Sequence, residues 1–139
     1  MSPIEIIIEP ILHEDTLPIR HKVMWPDKPL EYVMLKDDER GIHFGLKKDS
    51  KLITVVSLFI KGEEAQFRKL ATLQSEQGNG YASLILEHVI QYSKSNNVLK
   101  LWCNARIEKT QFYKRIGLLE TNKTFSKGGV DYVIMENHL

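Results

Sequence analysis

The stretch GYASLILEHVIQYSKSNN (80–97) sets apolar side chains at Ala82, Ile85, Leu86, Val89 and Tyr92, which is one face of an α-helix. Two β-rich runs flank it, AQFRKLATL (65–73) and VLKLWC (98–103). Strands joined through a helix of this length cannot make a hairpin; they lie parallel, with the helix crossing over the sheet. The upstream runs are connected differently. GIHFGLK (41–47), KLITVVSLFI (51–60) and AQFRKLATL follow one another through the short turns KDS and KGEE, which favours antiparallel hairpins. The chain is therefore constrained to an antiparallel meander that ends in one parallel step.

The remaining segments extend that plan. IEIIIEP (4–10) reads as a first strand ending at Pro10. HEDTLPIRHKVMW (13–25) reads as a helix capped by Asp15 or Thr16, with Pro18 in its first turn, and WPDKP stops it. EYVMLKDDERG (31–41) is a short apolar run followed by a charged turn, and its pattern selects no element. EKTQFYKRI (108–116) predicts a short helix stopped by Gly117, and VDYVIM (130–135) a final strand, with one or two strands after that helix. The expected architecture is a mixed α/β domain, and 139 residues correspond to one domain over 1–139.

Charge and cysteine content remove whole classes of function. Lys and Arg total 19 against 18 Asp and Glu, which leaves no electrostatic footprint for binding nucleic acid without sequence preference and is compatible with a local basic patch. The single cysteine, Cys103, excludes an intramolecular disulfide and Cys-only zinc sites. His13, His21, His88 and His138 lack metal-ligand spacing, so no metal is expected. The start MSPIEIIIEP lacks a basic leader, and no apolar run approaches the roughly 20 residues of a membrane span. The expectation is a cytoplasmic protein with no membrane or nucleic-acid partner.

Gly78 and Gly80 stand where the central helix should begin, although glycine is among the poorest helix formers. Either they turn the chain and nothing more, or they clear side chains from a helix N-terminus, whose free N–H groups attract anions. A Walker loop is excluded, because no Gly-x4-Gly-Lys-Ser/Thr run exists. A dinucleotide fingerprint is excluded too: Ser83 replaces the third glycine, and the next strand ends in Cys103 and Asn104, not an acid.

Gln77-Gly78-Asn79-Gly80-Tyr81-Ala82 does resemble the Gln/Arg-x-x-Gly-x-Gly/Ala signature of the GNAT superfamily of N-acetyltransferases. FRKLATL resembles that family's fourth strand, LWCNAR its fifth, and FYKRIGL its FYeklGF element. The resemblance covers essentially the whole chain. It implies a splayed, mostly antiparallel sheet with a parallel β4/β5 pair, and acetyl-CoA as cosubstrate.

By that resemblance, Leu70, Ala71, Thr72 and Leu73 would contact the pantetheine arm as an added strand does. Gln77, Gly78, Asn79, Gly80, Tyr81 and Ala82 would surround the pyrophosphate, with Ser83 an extra donor. A main-chain N–H near Thr72 or Leu73 would face the oxyanion. Tyr113 matches the tyrosine that protonates the departing thiolate; its alternative is helix packing, the role expected of Phe112. Asn104 either contacts the coenzyme or the substrate, or caps a turn. It does not inherit the asparagine often found seven residues before the tyrosine, because Arg106 stands there. Arg106 would bind a coenzyme phosphate or a substrate carboxylate, or is a plain surface residue.

The acceptor is expected to be a small-molecule amine. Arg20, Trp25 and His43 are the candidate substrate-binding residues, each with ordinary packing as the alternative. His43, Glu63 and Glu64 are the nearest candidates for a base, and none is assigned. Cys103 is either an apolar strand residue or a reactive thiol. The assembly expected is a homodimer. A non-catalytic acyl-CoA-binding or interaction domain with the same fold is the alternative function.

Overall fold

A computed structural model describes residues 3–139. The elements run β1 (Ile6–Ile11), α1 (His13–Met24), β2 (Ile42–Lys48), β3 (Lys51–Lys61), β4 (Glu64–Thr72), α2 (Tyr81–Ser95), β5 (Lys100–Arg106), α3 (Thr110–Arg115), β6 (Leu119–Lys127) and β7 (Val130–His138). The strands form one sheet in the order β1-β2-β3-β4-β5-β7-β6. Every neighbouring pair is antiparallel except β4/β5, which is parallel as the crossover helix demands.

The two longer helices cover opposite faces. Ile85, Leu86, Val89 and Ile90 of α2 pack on Phe44, Val56, Leu58, Phe67, Leu101 and Cys103. Ile19 of α1 packs on Val55 and Ala71. Burying side chains such as these contributes about 1.5–3 kcal/mol each relative to exposure.

Several boundaries differ from the sequence expectation. Helix α1 begins at His13 behind Leu12, which makes no side-chain cap, so neither Asp15 nor Thr16 is the cap. Glu14 and Asp15 lie inside the first turn, where their charge complements the helix dipole. The Thr16 hydroxyl donates to the His13 carbonyl at 2.6 Å, and Pro18 falls in the second turn. The undecided 31–41 segment forms two 3-10 turns, Leu30–Val33 and Asp38–Arg40. Two strands follow α3. The first, β6, is almost wholly exposed and polar; pairing with β7, not an apolar pattern, makes it a strand.

A buried ion pair ties α1 to this framework. The Arg20 guanidinium is fully buried and forks onto Asp38, Nη1 to Oδ2 at 2.8 Å and Nη2 to Oδ1 at 2.9 Å. It also donates to the Val33 carbonyl at 3.0 Å and to Ser57 Oγ at 2.8 Å. Burial pushes the Asp38 carboxyl up, but the Arg20 bonds and charge and the Leu35 N–H outweigh it and hold the group below its ordinary value. Asp38→Ala leaves the Arg20 charge buried without a partner. Urea denaturation of that variant is expected to show a loss of about 3–5 kcal/mol of stability.

Candidate functional site

The site begins with an extra residue in β4. Ser57 pairs with Arg68 and Val55 with Ala71, so Val56 alone faces both Lys69 and Leu70. That two-against-one arrangement is a β-bulge, and Lys69 occupies it with φ +58°. The bulged strand leaves its parallel neighbour. Strand β4 pairs with β5 only through Glu64–Lys100, Ala65–Leu101 and Gln66–Trp102. Strand β5 stays paired with β7 along its whole length, so from Phe67 onward the far edge of β4 opens onto a gap.

Backbone groups alternate in direction along a strand. The Leu73 N–H donates to the Ile53 carbonyl at 2.9 Å, so it is engaged on the β3 side and does not serve the gap. Thr72 therefore turns its N–H and carbonyl toward the gap. Gln77 Nε2 donates to that carbonyl at 3.0 Å, which binds the following loop to the strand end. Leu70 packs on the α2 side and Ala71 on the α1 side.

The loop itself accounts for its glycines. Gly78 and Gly80 both adopt φ +82°, a left-handed conformation that other residues enter at a cost. A Cβ built on either would meet nothing within 4 Å, so the space above them is open. Gly80 caps α2, whose first helical bond runs from the Leu84 N–H to the Gly80 carbonyl at 3.1 Å. The Tyr81, Ala82 and Ser83 N–H groups precede that bond and have no intrahelical acceptor. No side chain caps the helix and no acid lies in its first turn. Asn79 Nδ2 donates to the Glu76 carbonyl at 3.2 Å, bracing the loop. Lys48 Nζ meets Glu76 Oε1 at 2.9 Å, which neutralises the acid nearest the helix end. The arrangement fits an anion.

Tyr113 stands beside the point of divergence. Its ring lies 5.8 Å from Phe67 and 5.1 Å from Phe112. Burial pushes the phenol well above its ordinary value; Cys103 adds to the shift and Arg106 opposes it. Tyr113 therefore holds its proton throughout the neutral range. Cys103 is buried and its thiol is pushed up to about 12, so it is not a thiolate at neutral pH.

The Acetyltransferase (GNAT) domain family matches this chain over residues 19–139. The chain belongs to that family. The uncharacterized N-acetyltransferase YitI of Bacillus subtilis (strain 168) is 27% identical over 138 residues, covering 92% of this chain and 93% of its own. A candidate N-acetyltransferase from Lactobacillus plantarum superposes with a TM-score of 0.85 at 16% identity, covering 99% of each chain. A GNAT family acetyltransferase from Elizabethkingia anophelis with acetyl-CoA bound gives a TM-score of 0.74 at 18% identity, over 96% of this chain and 98% of that one.

Within the GNAT frame, the expected acceptor residues are placed unevenly. Arg20 has no exposed surface, and its bonds to Asp38, Ser57 and Val33 make it an internal brace instead of a free cation. His43 is equally enclosed. Its Nε2 contacts the Asp38 carbonyl and its Nδ1 contacts Ser57 Oγ, both at 2.7 Å. A carbonyl only accepts, so Nε2 carries the proton; Ser57 accepts from Arg20 and donates to Nδ1. Both nitrogens are thus engaged within the protein. Trp25 is half-buried, packed edge-on at 5.2 Å against Tyr32, whose other neighbour is the Lys28 ammonium at 5.4 Å. Asn104 is exposed, on the β5 face opposite Cys103.

The bulge and Asp38 escaped the sequence reading. The sequence does carry a mark of the bulge: apolar residues run Ala65, Phe67, then Leu70 and Ala71, a break in the alternation of a regular strand.

Burial pushes the His43 imidazole below its ordinary 6.5, Arg20 and His13 add to this, and Asp38 opposes it. Below 6.5 the unfolded chain binds the proton first, so stability falls as pH drops through the window beneath that value. Urea midpoints at pH 7.5 and 5.5 are expected to show this loss, and a smaller pH dependence in His43→Gln.

Proposed function

We propose that this chain transfers an acetyl group from acetyl-CoA to the primary amine of a small molecule, by direct attack within a ternary complex. One observation carries the reading: the parallel β4/β5 pair opens at a bulge and leads straight into a double-glycine loop at an uncapped helix N-terminus. Family membership supports acetyl-CoA as the donor, as does the Elizabethkingia relative with that molecule bound.

Each part then has a physical task. The Gly78 to Ser83 backbone, at the positive end of α2, receives the pyrophosphate. The open edge of β4 from Leu70 to Thr72 pairs with the amide-bearing arm, while Gln77 holds the loop in register. Leu73 contributes through its position and apolar side chain. When bound, acetyl-CoA supplies a thioester whose carbonyl a neutral amine attacks, giving a tetrahedral oxyanion that collapses with loss of the thiolate. The Thr72 N–H, freed by the bulge, is the donor placed to face that oxyanion. Tyr113 delivers its proton to the departing sulfur, and the proton shed by the attacking nitrogen passes to water, which restores the phenol. Asn104 lies across the gap, where it can meet the coenzyme arm.

A thiol-release assay with acetyl-CoA and a panel of primary amines tests the reading. Tyr113→Phe is expected to lower kcat by about a hundredfold, within the range of general-acid effects, with acetyl-CoA affinity changed less than twofold. Because the Tyr113 phenol is pushed upward, the acid form persists to at least its ordinary pKa of about 10. The wild-type rate should rise with amine deprotonation and show no fall below pH 10. A decline between pH 8 and 9.5, or full turnover by Tyr113→Phe, contradicts Tyr113 as the acid. Tight acetyl-CoA binding with no turnover of any amine would leave a coenzyme-binding domain.

A further inference from the structure

The bulge in β4 does more than open the gap, because it also redirects side chains. In a regular strand Arg68 and Lys69 would face opposite ways. Here Phe67 and Leu70 pack into the α2-side core, and Ala71 into the α1-side cluster. Arg68 stands opposite Ser57, which Arg20 holds from the α1 side. Lys69 lies at φ +58° between them, and the charges that act on it are Arg68, Arg20, Lys127 and Asp38, all but Arg68 from other elements and two of them the α1-side ion pair. Two successive cations therefore lie at the place where β4 leaves β5.

These cations lack a counter-ion. Asp38, the acid that acts on Lys69, has both its oxygens bonded by Arg20. Among the described residues, no ion pair includes Arg68, Lys69, Arg106 or Lys127. Lys69 and Arg68 are half-buried. Across the gap, β5 turns exposed Asn104 and half-buried Arg106 to the face opposite its core residues Cys103 and Ala105.

We propose that the acceptor is an amine bearing a carboxylate, and that Lys69 and Arg68 hold this carboxylate where β4 and β5 part, with Asn104 and Arg106 opposite. The proposal rests on the acetyltransferase reading and adds the acceptor class to it. A half-buried ammonium among cations is costly until an anion joins it. Burial and the neighbouring cations both lower the Lys69 pKa, and a bound anion would raise it. An arginine fork beside a lysine suits a planar carboxylate. The same charges repel a polycationic amine, so selection works by exclusion as well as attraction.

The test uses product mimics, so it needs no turnover. N-acetyl-leucine, N-acetyl-phenylalanine and N-acetyl-glutamate are titrated into the CoA-saturated protein. Each is compared with the matching acetamide lacking the α-carboxylate. At least one pair is expected to favour the carboxylate at least tenfold, and Lys69→Met and Arg68→Gln should each reduce that preference at least fivefold. A CoA titration of both variants, with affinity expected within twofold of wild type, shows that each is folded. Equal affinities within every pair, binding of neither member, or a preference that survives both substitutions overturns the proposal. An amine panel run in parallel separates the two readings: carboxylate preference without acetyl transfer counts against the enzyme reading alone.

Discussion

One extra residue in β4 determines most of what this protein can do. Without the bulge at Lys69–Leu70, β4 could stay paired with β5 beyond Gln66 and Trp102 and leave no open edge there. The bulge ends that pairing after Gln66 and Trp102. It leaves the Thr72 N–H facing a gap, delivers the chain into a loop at the positive end of α2, and sets Lys69 beside Arg68 at the opening. The gap geometry, the proposed oxyanion donor and the proposed carboxylate site thus share one origin in the backbone.

The gap is useful only if its surroundings stay rigid, and here the buried polar network matters. Arg20, Asp38, Ser57 and His43 link α1, the Asp38–Arg40 turn, β3 and β2 in one hydrogen-bonded set. Buried charges cost several kcal/mol each when unpaired, so the set persists only while complete. It fastens the α1 side of the sheet beside β4 without offering a free cation to ligand. The positive groups left for a ligand are the ones the network does not include.

Much of this was legible in the sequence. The helical period over 80–97, bracketed by β-rich runs, dictated the parallel step, and the hairpin turns dictated the meander. The glycines at 78 and 80 marked the loop because their left-handed backbone excludes most other residues. Three features were not legible. Arg20 and His43 look like surface chemistry in a linear reading; only tertiary packing brings Asp38 and Ser57 to them. Strand β6 has no apolar alternation, so its conformation follows from β7. The N-terminus of α1 carries two plausible capping side chains, yet the helix starts before both, which lets its acids sit in the first turn.

The account stands on the double-glycine loop as the seat of a pyrophosphate. The most direct measurement is a calorimetric titration of the purified protein with acetyl-CoA and, separately, with acetyl-pantetheine, which has the same thioester arm but no pyrophosphate. Micromolar binding of acetyl-CoA and a loss of at least a hundredfold for acetyl-pantetheine are expected. Equal affinities, or no binding of acetyl-CoA by folded protein, would contradict that role of the loop and leave the two glycines as a turn without a ligand.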